Sequence, residues 1–423
     1  MSLSEFVRVD GYKITDTFKH LDKGYVLVAL APTGETAEKM FCYRCGGELG
    51  EEVSRHRLRL KYLPLFSYQT FFVLWRRKGH CPGCKKIRSE RLSFISEVSP
   101  HLTKAYEKTI EELTEIAPVS GVAELSGEES STIWRIDFRR MQRLLKLYKI
   151  PQATHISVDE VYARKKPREG DTRNDRFFTI ITDMKTRKVI WVTDSRRKEG
   201  LDAFYQKIGP EACAKIQVVA QDQHEDYRQS TLQHCKNATI VYDKFHVLKS
   251  FNKALDEARK TIIKMSNLTN AKAKKFKGAF KYILMTKDSK RTPAERLTLE
   301  EAKKENKIFI DMEIIKEAVY RVFTEDTENE AEKTFKQLGA WIRQAGIPDL
   351  KTWYAHLARR WEHVAAYYRS PTTSALSEGV NNVIKTVKRR AFGYRNMEYF
   401  KLKIMQVCGH LKTKVLENQP IGT

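Results

Sequence analysis

The chain has 423 residues, 41% of them hydrophobic and 31% charged, enough to bury a sizeable core and, by length, to make about three domains. Lysine and arginine exceed aspartate and glutamate by 24, and the isoelectric point is 9.6. That imbalance points to a polyanionic partner, nucleic acid first, with a basic membrane-surface protein as the competing class. There is no run of about 18 apolar residues to span a bilayer. Met1 to Asp10 lacks the basic-then-apolar order of a secretory leader, so a reducing cytoplasmic location is expected. The seven cysteines are an odd set with four in two tight pairs, which suits metal better than disulfides.

In chain order, Tyr25 to Ala31 is a short apolar run ending at Pro32 and reads as a strand. Leu58 to Leu74, rich in Tyr, Phe, Leu and Val, reads as strands of a small ribbon. Lys104 to Ile116 carries Ala105, Ile110, Leu113 and Ile116 at helical spacing. A short helix follows Pro118, Gly127 breaks it, and Ser130 to Tyr148 makes a longer one, the helix-turn-helix order. Past Pro151 the period changes. His155 to Tyr162, Phe177 to Asp183 and Lys188 to Asp194 read as strands, with Asp171 to Asp175 turn-like and Lys185-Thr186-Arg187 a hairpin turn. Then come helix, strand (Gln217 to Ala220), helix and strand (Thr239 to Tyr242). Three adjacent strands followed by crossovers is the plan of a ribonuclease-H-like sheet, an order shared by other mixed α/β folds. Leu248 to Tyr368 is patterned as helix throughout, and Ser374 to Leu416 as helix broken at Gly393.

The expected architecture is therefore multidomain. A β-rich zinc-binding module (1–100) precedes an all-α helix-turn-helix domain (101–150). An α/β ribonuclease-H-like core (151–248) is interrupted by an all-α insertion (249–370) and completed by a helical part (371–423).

Cys42 and Cys45 are separated by two residues, and Cys81 and Cys84 repeat the spacing. Such pairs let four thiolates close on one tetrahedral Zn²⁺, a structural rather than catalytic ion because no position stays open. Gly46, Gly47 and Gly83 supply backbone freedom at the pairs; His56 and His80 are minor alternative ligands, and Cys213, Cys235 and Cys408 read as buried thiols. Arg55, Arg57, Arg59 and Lys61 alternate, so a strand would carry them on one face; Arg76, Arg77 and Lys78 precede the second pair. Both groups are candidate phosphate contacts, against a reading as a solvated face. At the second helix of the helix-turn-helix, Ser130, Ser131, Thr132 and Arg135 are the candidate major-groove residues, with Ile133 and Trp134 packed inward.

Asp159 and Asp222 each close an apolar run, and strand-end carboxylates on neighbouring strands can converge on Mg²⁺ or Mn²⁺ for phosphoryl transfer. Glu160 and Glu225 are local rivals, and Asp243, just after a strand, is a rival third ligand. Glu378-Gly379-Val380-Asn381-Asn382-Val383-Ile384-Lys385, the basic run to Arg390 and Gly393-Tyr394-Arg395-Asn396 resemble the signature of the ISL3 family of DDE insertion-sequence transposases. Asp243-Lys244-Phe245-His246-Val247 is similar to that family's stretch after the last sheet strand.

The resemblance implies a ribonuclease-H-like core with Asp159, Asp222 and Glu378 as catalytic metal ligands. It also implies binding of double-stranded DNA at transposon ends and assembly of two or more protomers on it, in the cytoplasm at the nucleoid. Glu378 shares a helix face with Asn381, Asn382 and Lys385, while Val380, Val383, Ile384 and Val387 are assigned to the core. Lys385, Lys388, Arg389, Arg390 and Arg395 are further candidate phosphate contacts, and Tyr394 is either a base-stacking or a core residue. A non-catalytic DNA-binding regulator and a nuclease without strand transfer are the competing functions.

Overall fold

The computed structural model describes residues 7–163, 176–265, 274, 276–370 and 374–413. Asp171 to Asp175, expected to form a turn, lies outside them. The chain divides into two compact units: Met1–Tyr148 with Arg390–Tyr394 and Leu411–Thr423, and Lys149–Arg389 with Arg395–His410.

The first unit opens with β1 (Tyr12–His20), β2 (Tyr25–Pro32) and a single helical turn α1 (Glu35–Glu38). It continues with β3 (Glu52–Leu65), β4 (Tyr68–Cys81) and β5 (Lys86–Ser89). Their order is β1-β2-β4-β3, with β5 also on β4; β2 and β4 run parallel and the other pairs antiparallel. Alternation decides the faces. Val26, Val28, Leu30, Leu60, Phe72 and Leu74 point into one core with Leu92. Strand β1 has a weak apolar signature: none of its residues is fully buried, and Tyr12 and Ile14 pack partly buried against this core.

Helices α2 (Lys104–Ile116), α3 (Val119–Ser126) and α4 (Ser130–Leu147) complete this unit. The Thr103 hydroxyl caps α2 by accepting from Tyr106 N, and Gly127 ends α3 in the left-handed region at φ 68°. Tyr106, Ile110, Val122, Ile133 and Ile136 form their shared core. Lys61 ties the α3–α4 turn to the sheet, its ammonium donating to Ser126 O (2.6 Å) and Glu128 (2.9 Å).

The second unit is built on β6 (His155–Tyr162), β7 (Phe177–Asp183), β8 (Lys188–Asp194), β9 (Val218–Gln221) and β10 (Thr239–Tyr242). The order is β10-β9-β6-β7-β8; β6, β7 and β8 are antiparallel neighbours, and β6, β9 and β10 run parallel. The β7–β8 hairpin turns where the Asp183 carboxylate accepts from Lys185 N (3.0 Å) and the Thr186 hydroxyl (2.7 Å). One face of the sheet packs on α5 (Lys198–Ile208), α6 (Pro210–Ala214) and α7 (Glu225–His234) through Ile156, Val158, Ile181, Leu201, Phe204 and Tyr227.

Among the described residues, seven α-helices follow: α8 (Lys244–Met265), α9 (Phe280–Met285), α10 (Pro293–Glu305), α11 (Ile308–Val322), α12 (Glu328–Ala345), α13 (Pro348–Ala358) and α14 (Trp361–Arg369). Reciprocal caps start α10 (Thr292 with Glu295) and α12 (Thr327 with Glu330). Their core is continuous with Ile240 and Tyr242 of β10, so these helices extend the edge of the sheet and are not detached from it.

Helices α15 (Ser374–Arg390) and α16 (Met397–Cys408) return to the sheet. Phe400 of α16 lies 5.6 Å from Phe178, whose parity on β7 is opposite to that of Ile181, so these last helices cover the other face.

Candidate active site and metal centres

In the first unit the four cysteines converge: every Sγ lies within 4.8 Å of the others. Cys42 and Cys84 are 4.0 Å apart, and Cys45 and Cys81 are 3.4 Å apart. Zn–S bonds of about 2.3 Å at tetrahedral angles require sulfurs about 3.8 Å apart, so this set fits that ion. The two pairs repeat one turn. Arg44 N donates to Cys42 Sγ, and Cys84 N to Cys81 Sγ, both at 3.4 Å. The residue after each pair is left-handed, Gly46 at φ 76° and Lys85 at φ 51°. The freedom expected of Gly83 thus belongs to Lys85; neither Gly83 nor Gly47 has a left-handed φ, and a Cβ on either would meet Cys45 Sγ only at an ordinary contact distance of 3.7 Å. Burial pushes the Cys42 thiol up, but backbone N–H donors and the neighbouring thiols more than offset this and bring it to about 6. Burial pushes Cys81 to about 11.

In the second unit, Asp159 lies on β6 and Asp222 directly after β9, on adjacent parallel strands. Both approach His246 in the first turn of α8: Nε2 is 3.6 Å from Asp159 and Nδ1 is 4.0 Å from Asp222. Asp243, ending β10, belongs to the same cluster, its carboxylate accepting from Phe245 N at 2.7 Å. Burial raises the carboxyls of Asp159 and Asp243 above the ordinary carboxylate range. His246 and nearby donors pull both down, while the negative charge of Asp222 pushes both further up.

Helix α15 lies along β6. Ser377 hydrogen-bonds Ser157 (2.8 Å), the Asn381 amide donates to Asp159 (2.8 Å), and the Lys388 ammonium donates to Tyr162 O (3.0 Å). Eleven helical residues and five strand residues each advance about 16.5 Å, so helix and strand run parallel in matched register. Glu378 stands one turn before Asn381 and is exposed, on a face it shares with exposed Asn382, Lys385 and Arg389. Val380 and Ile384 are buried as expected; Val383 is 43% exposed because it points away from the sheet. Among the described residues, Asp159, Asp222 and Glu378 are not drawn together as tightly as the cysteines.

The local rivals are engaged elsewhere. Glu160 pairs with Arg196 at 3.1 Å, and Glu225 pairs with Arg228 (3.1 Å) and Arg360 (2.5 Å).

The candidate DNA contacts divide. Ser130, Ser131 and Arg135 are at the start of α4, the two serines exposed and the arginine at its surface, but Thr132 is buried and its hydroxyl accepts from Arg135. Arg77 is used internally: it makes a two-pronged contact with Glu90 (2.7 and 2.9 Å) and donates to Thr36 O and Ala37 O. Arg76 donates twice to Glu90 O. These two arginines hold the strand-end loop around the cysteines, and Lys78 is half-buried beside them. Lys385, Arg389, Arg390 and Arg395 are exposed, whereas Lys388 folds back onto Tyr162. Tyr394 is half-buried, which pushes its hydroxyl to about 12.

A family model described as Transposase, of the ISL3 type of DDE transposases, matches residues 156–404, more than half of the chain and the whole span from β6 into α16. The chain belongs to this family. Its similarity extends to the transposase for insertion sequence element IS1001 of Bordetella parapertussis, 26% identical over 382 residues, 87% of this chain and 89% of that protein. The transposase for insertion sequence element IS1557 of Mycobacterium tuberculosis is 22% identical over 340 residues, 74% of this chain and 73% of that one. Among the described residues of this transposase, no helix is long and apolar enough to cross a membrane. The contacts that Asn381 and His246 make with Asp159 are visible only in the folded chain; in the sequence, their signals are the helix face that Asn381 shares with Glu378 and the place of His246 in the Asp243–Val247 stretch.

Proposed function

We propose that this transposase binds the ends of its own element in double-stranded DNA, cuts them, and joins them to target DNA through Asp159, Asp222 and Glu378. The observation that carries this reading is the matched run of α15 along β6, with Asn381 on Asp159 and Glu378 one turn away. It supports placing a carboxylate so late in the chain beside Asp159, which lies within β6 and not at its end as the sequence suggested, and Asp222, which follows β9. Asp159 and Asp222 share one imidazole, while Glu160 and Glu225 are committed to arginines. The sheet order, three antiparallel strands then two parallel ones with helices on both faces, supports a ribonuclease-H-like core.

The donor set fits a divalent cation. Buried Asp159 and half-buried Asp222 and Asp243 repel one another, a negative charge that such an ion would offset, and oxygen donors suit Mg²⁺ or Mn²⁺. When bound, the ion supplies Lewis-acid neutralisation of charge on the phosphoryl oxygens. The chain's own groups do the positioning. Asn381 fixes one Asp159 oxygen and Glu160 N the other. His246 spaces the two aspartates, and Lys385 and Arg389 offer an exposed cationic face for phosphates. Cleavage is an in-line attack by water at the element end. Joining is an in-line attack by the freed 3′-hydroxyl on target DNA, and neither needs a protein nucleophile.

The cysteine cluster is read as a structural Zn²⁺ site, and α3, Gly127 and α4 as a DNA-binding helix-turn-helix with Ser130, Ser131 and Arg135 outermost. Two or more protomers are expected on the DNA, at the nucleoid. A second reading gives the third carboxylate place to Asp243, because it is half-buried beside Asp159, Asp222 and His246 while Glu378 is exposed. Incubating the protein with DNA flanking its own gene and Mg²⁺, then mapping the ends and joined products, tests the function. Strand transfer lost in Glu378→Gln and retained in Asp243→Asn supports the first reading; the reverse supports the second. No end-specific cleavage by the unaltered protein overturns both.

A further inference from the structure

The sheet of the first unit has a second face. Alternation that sends Leu60, Phe72, Leu74 and Val28 inward sends Arg57, Arg59, Phe71, Val73, Trp75, Tyr25 and Leu27 outward. Register lines these up in rows. Trp75 stands opposite Arg57, Val73 opposite Arg59, Phe71 beside Leu27, and Leu27 opposite Phe18. A face like this is normally covered, yet Trp75 is 56% and Phe18 46% exposed, and Phe71, Tyr25 and Leu27 are half-exposed.

The side chains are ordered by their own contacts. The Arg59 guanidinium lies 3.7 Å from the Phe71 ring centre and 5.1 Å from that of Tyr25, and Tyr25 lies tilted against His20 at 4.7 Å. Arginines line the β3 edge, rings occupy β4, β2 and β1, and the acid Asp16 sits on the far edge strand.

We infer that this face is a platform for single-stranded DNA, with phosphates along Arg57 and Arg59 and unpaired bases stacked on Trp75, Phe71 and Tyr25. Aromatic faces beside a basic edge are what an unpaired strand needs, because every base offers a ring face and every link a negative charge. Successive outward arginines are about 6.8 Å apart along a strand, the scale on which phosphates repeat in a stretched single strand. Duplex DNA does not fit. Four strands side by side put the outer two about 14 Å apart before side chains are counted, wider than the roughly 12 Å major groove, and stacked base pairs hide their ring faces. A transposase meets unpaired bases when its element ends are opened, and this platform is separate from the carboxylate residues and does not depend on their assignment.

The test uses the full-length protein, a thymidine oligonucleotide carrying 5-bromodeoxyuridine, and a duplex of equal length. Photo-cross-links mapping to the peptides holding Phe71, Trp75 or Tyr25 support the platform. So does a Trp75→Ala loss of about 5- to 150-fold in oligonucleotide affinity, with duplex affinity held within about twofold and Trp75→Phe restoring binding. Arg57→Ala should lower the salt slope for the oligonucleotide by about 0.7. Equal losses for duplex and single strand overturn the inference, as do cross-links confined to other peptides. It is also overturned if Trp75→Ala turns a dimer into a monomer by sedimentation without changing oligonucleotide affinity, which would assign the face to a second copy of the chain.

Discussion

The cysteine cluster takes its ligands from Cys42 to Cys84, at two turns of one small sheet, and its sulfurs already stand at tetrahedral spacing. Asp159, Asp222, Asp243 and His246 come from β6, the ends of β9 and β10 and the first turn of α8, with Asn381 of α15 on Asp159 and Glu378 exposed one turn away. A closed site made of local chain can hold an ion as part of the fold. An open site assembled from distant elements must be held by the fold, so its charge repulsion is tolerated and not relieved. Failure should therefore look different in the two: loss of structure in one, loss of chemistry on an intact scaffold in the other.

The largest effect should come from stripping the cysteine site. Structural zinc contributes on the order of 10–16 kcal/mol to small modules that fold around it. A strong chelator, or Cys42→Ser with Cys81→Ser, should release one zinc per chain and unfold the surrounding strands. Metal analysis and hydrogen exchange over β3 to β5 check this; unchanged protection without metal would break the contrast. Next in size, Asp159→Asn or Asp222→Asn should reduce end cleavage by about 10²–10³-fold or more, with the melting temperature kept. A mutant that loses activity by unfolding would mean that this site, too, is structural.

Asn381→Ala should raise the Mg²⁺ concentration needed for half-maximal cleavage by about 10- to 100-fold, since it frees the Asp159 carboxylate to rotate. Maximal rate at saturating Mg²⁺ should recover, which separates orientation from chemistry in a metal titration. The smallest effect belongs to Lys385→Ala with Arg389→Ala. Each lost phosphate contact should flatten the logarithmic salt dependence of end binding by about 0.9, with cleavage of bound DNA little changed. An unaltered slope would place both side chains in solvent.

Much of this is legible in sequence because the period itself changes at Pro151, and β7, β8 and β9 each close on a carboxylate or amide where the apolar run stops. Spacing alone identifies the cysteine cluster. What escapes the sequence shares one cause, contacts between residues far apart in the chain. The burial of Thr132 follows from the packing of α4 on α2 and α3, and the use of Arg77 follows from a loop that folds back over Glu90. The role of Asn381 follows from its helix lying in register with β6. Strand β1 is hidden for the opposite reason: it carries no fully buried residue that a hydrophobic pattern would register.

The register of α15 against β6 also sets a clock on synthesis. Asp159 leaves the ribosome early, but Asn381 and Glu378 are added more than 200 residues later, after the whole helical insertion. At about 5–20 residues per second, roughly 10–45 seconds separate the two halves of the site. On the proposed reading, the nascent chain carries its cysteine module and helix-turn-helix through that interval, so it would engage DNA near its own gene before it could cut. If the proposed end binding lies in the first unit, a chain broken off within the insertion would keep it without the helix that reaches Asp159, and would occupy the element's ends as an inhibitor of intact copies.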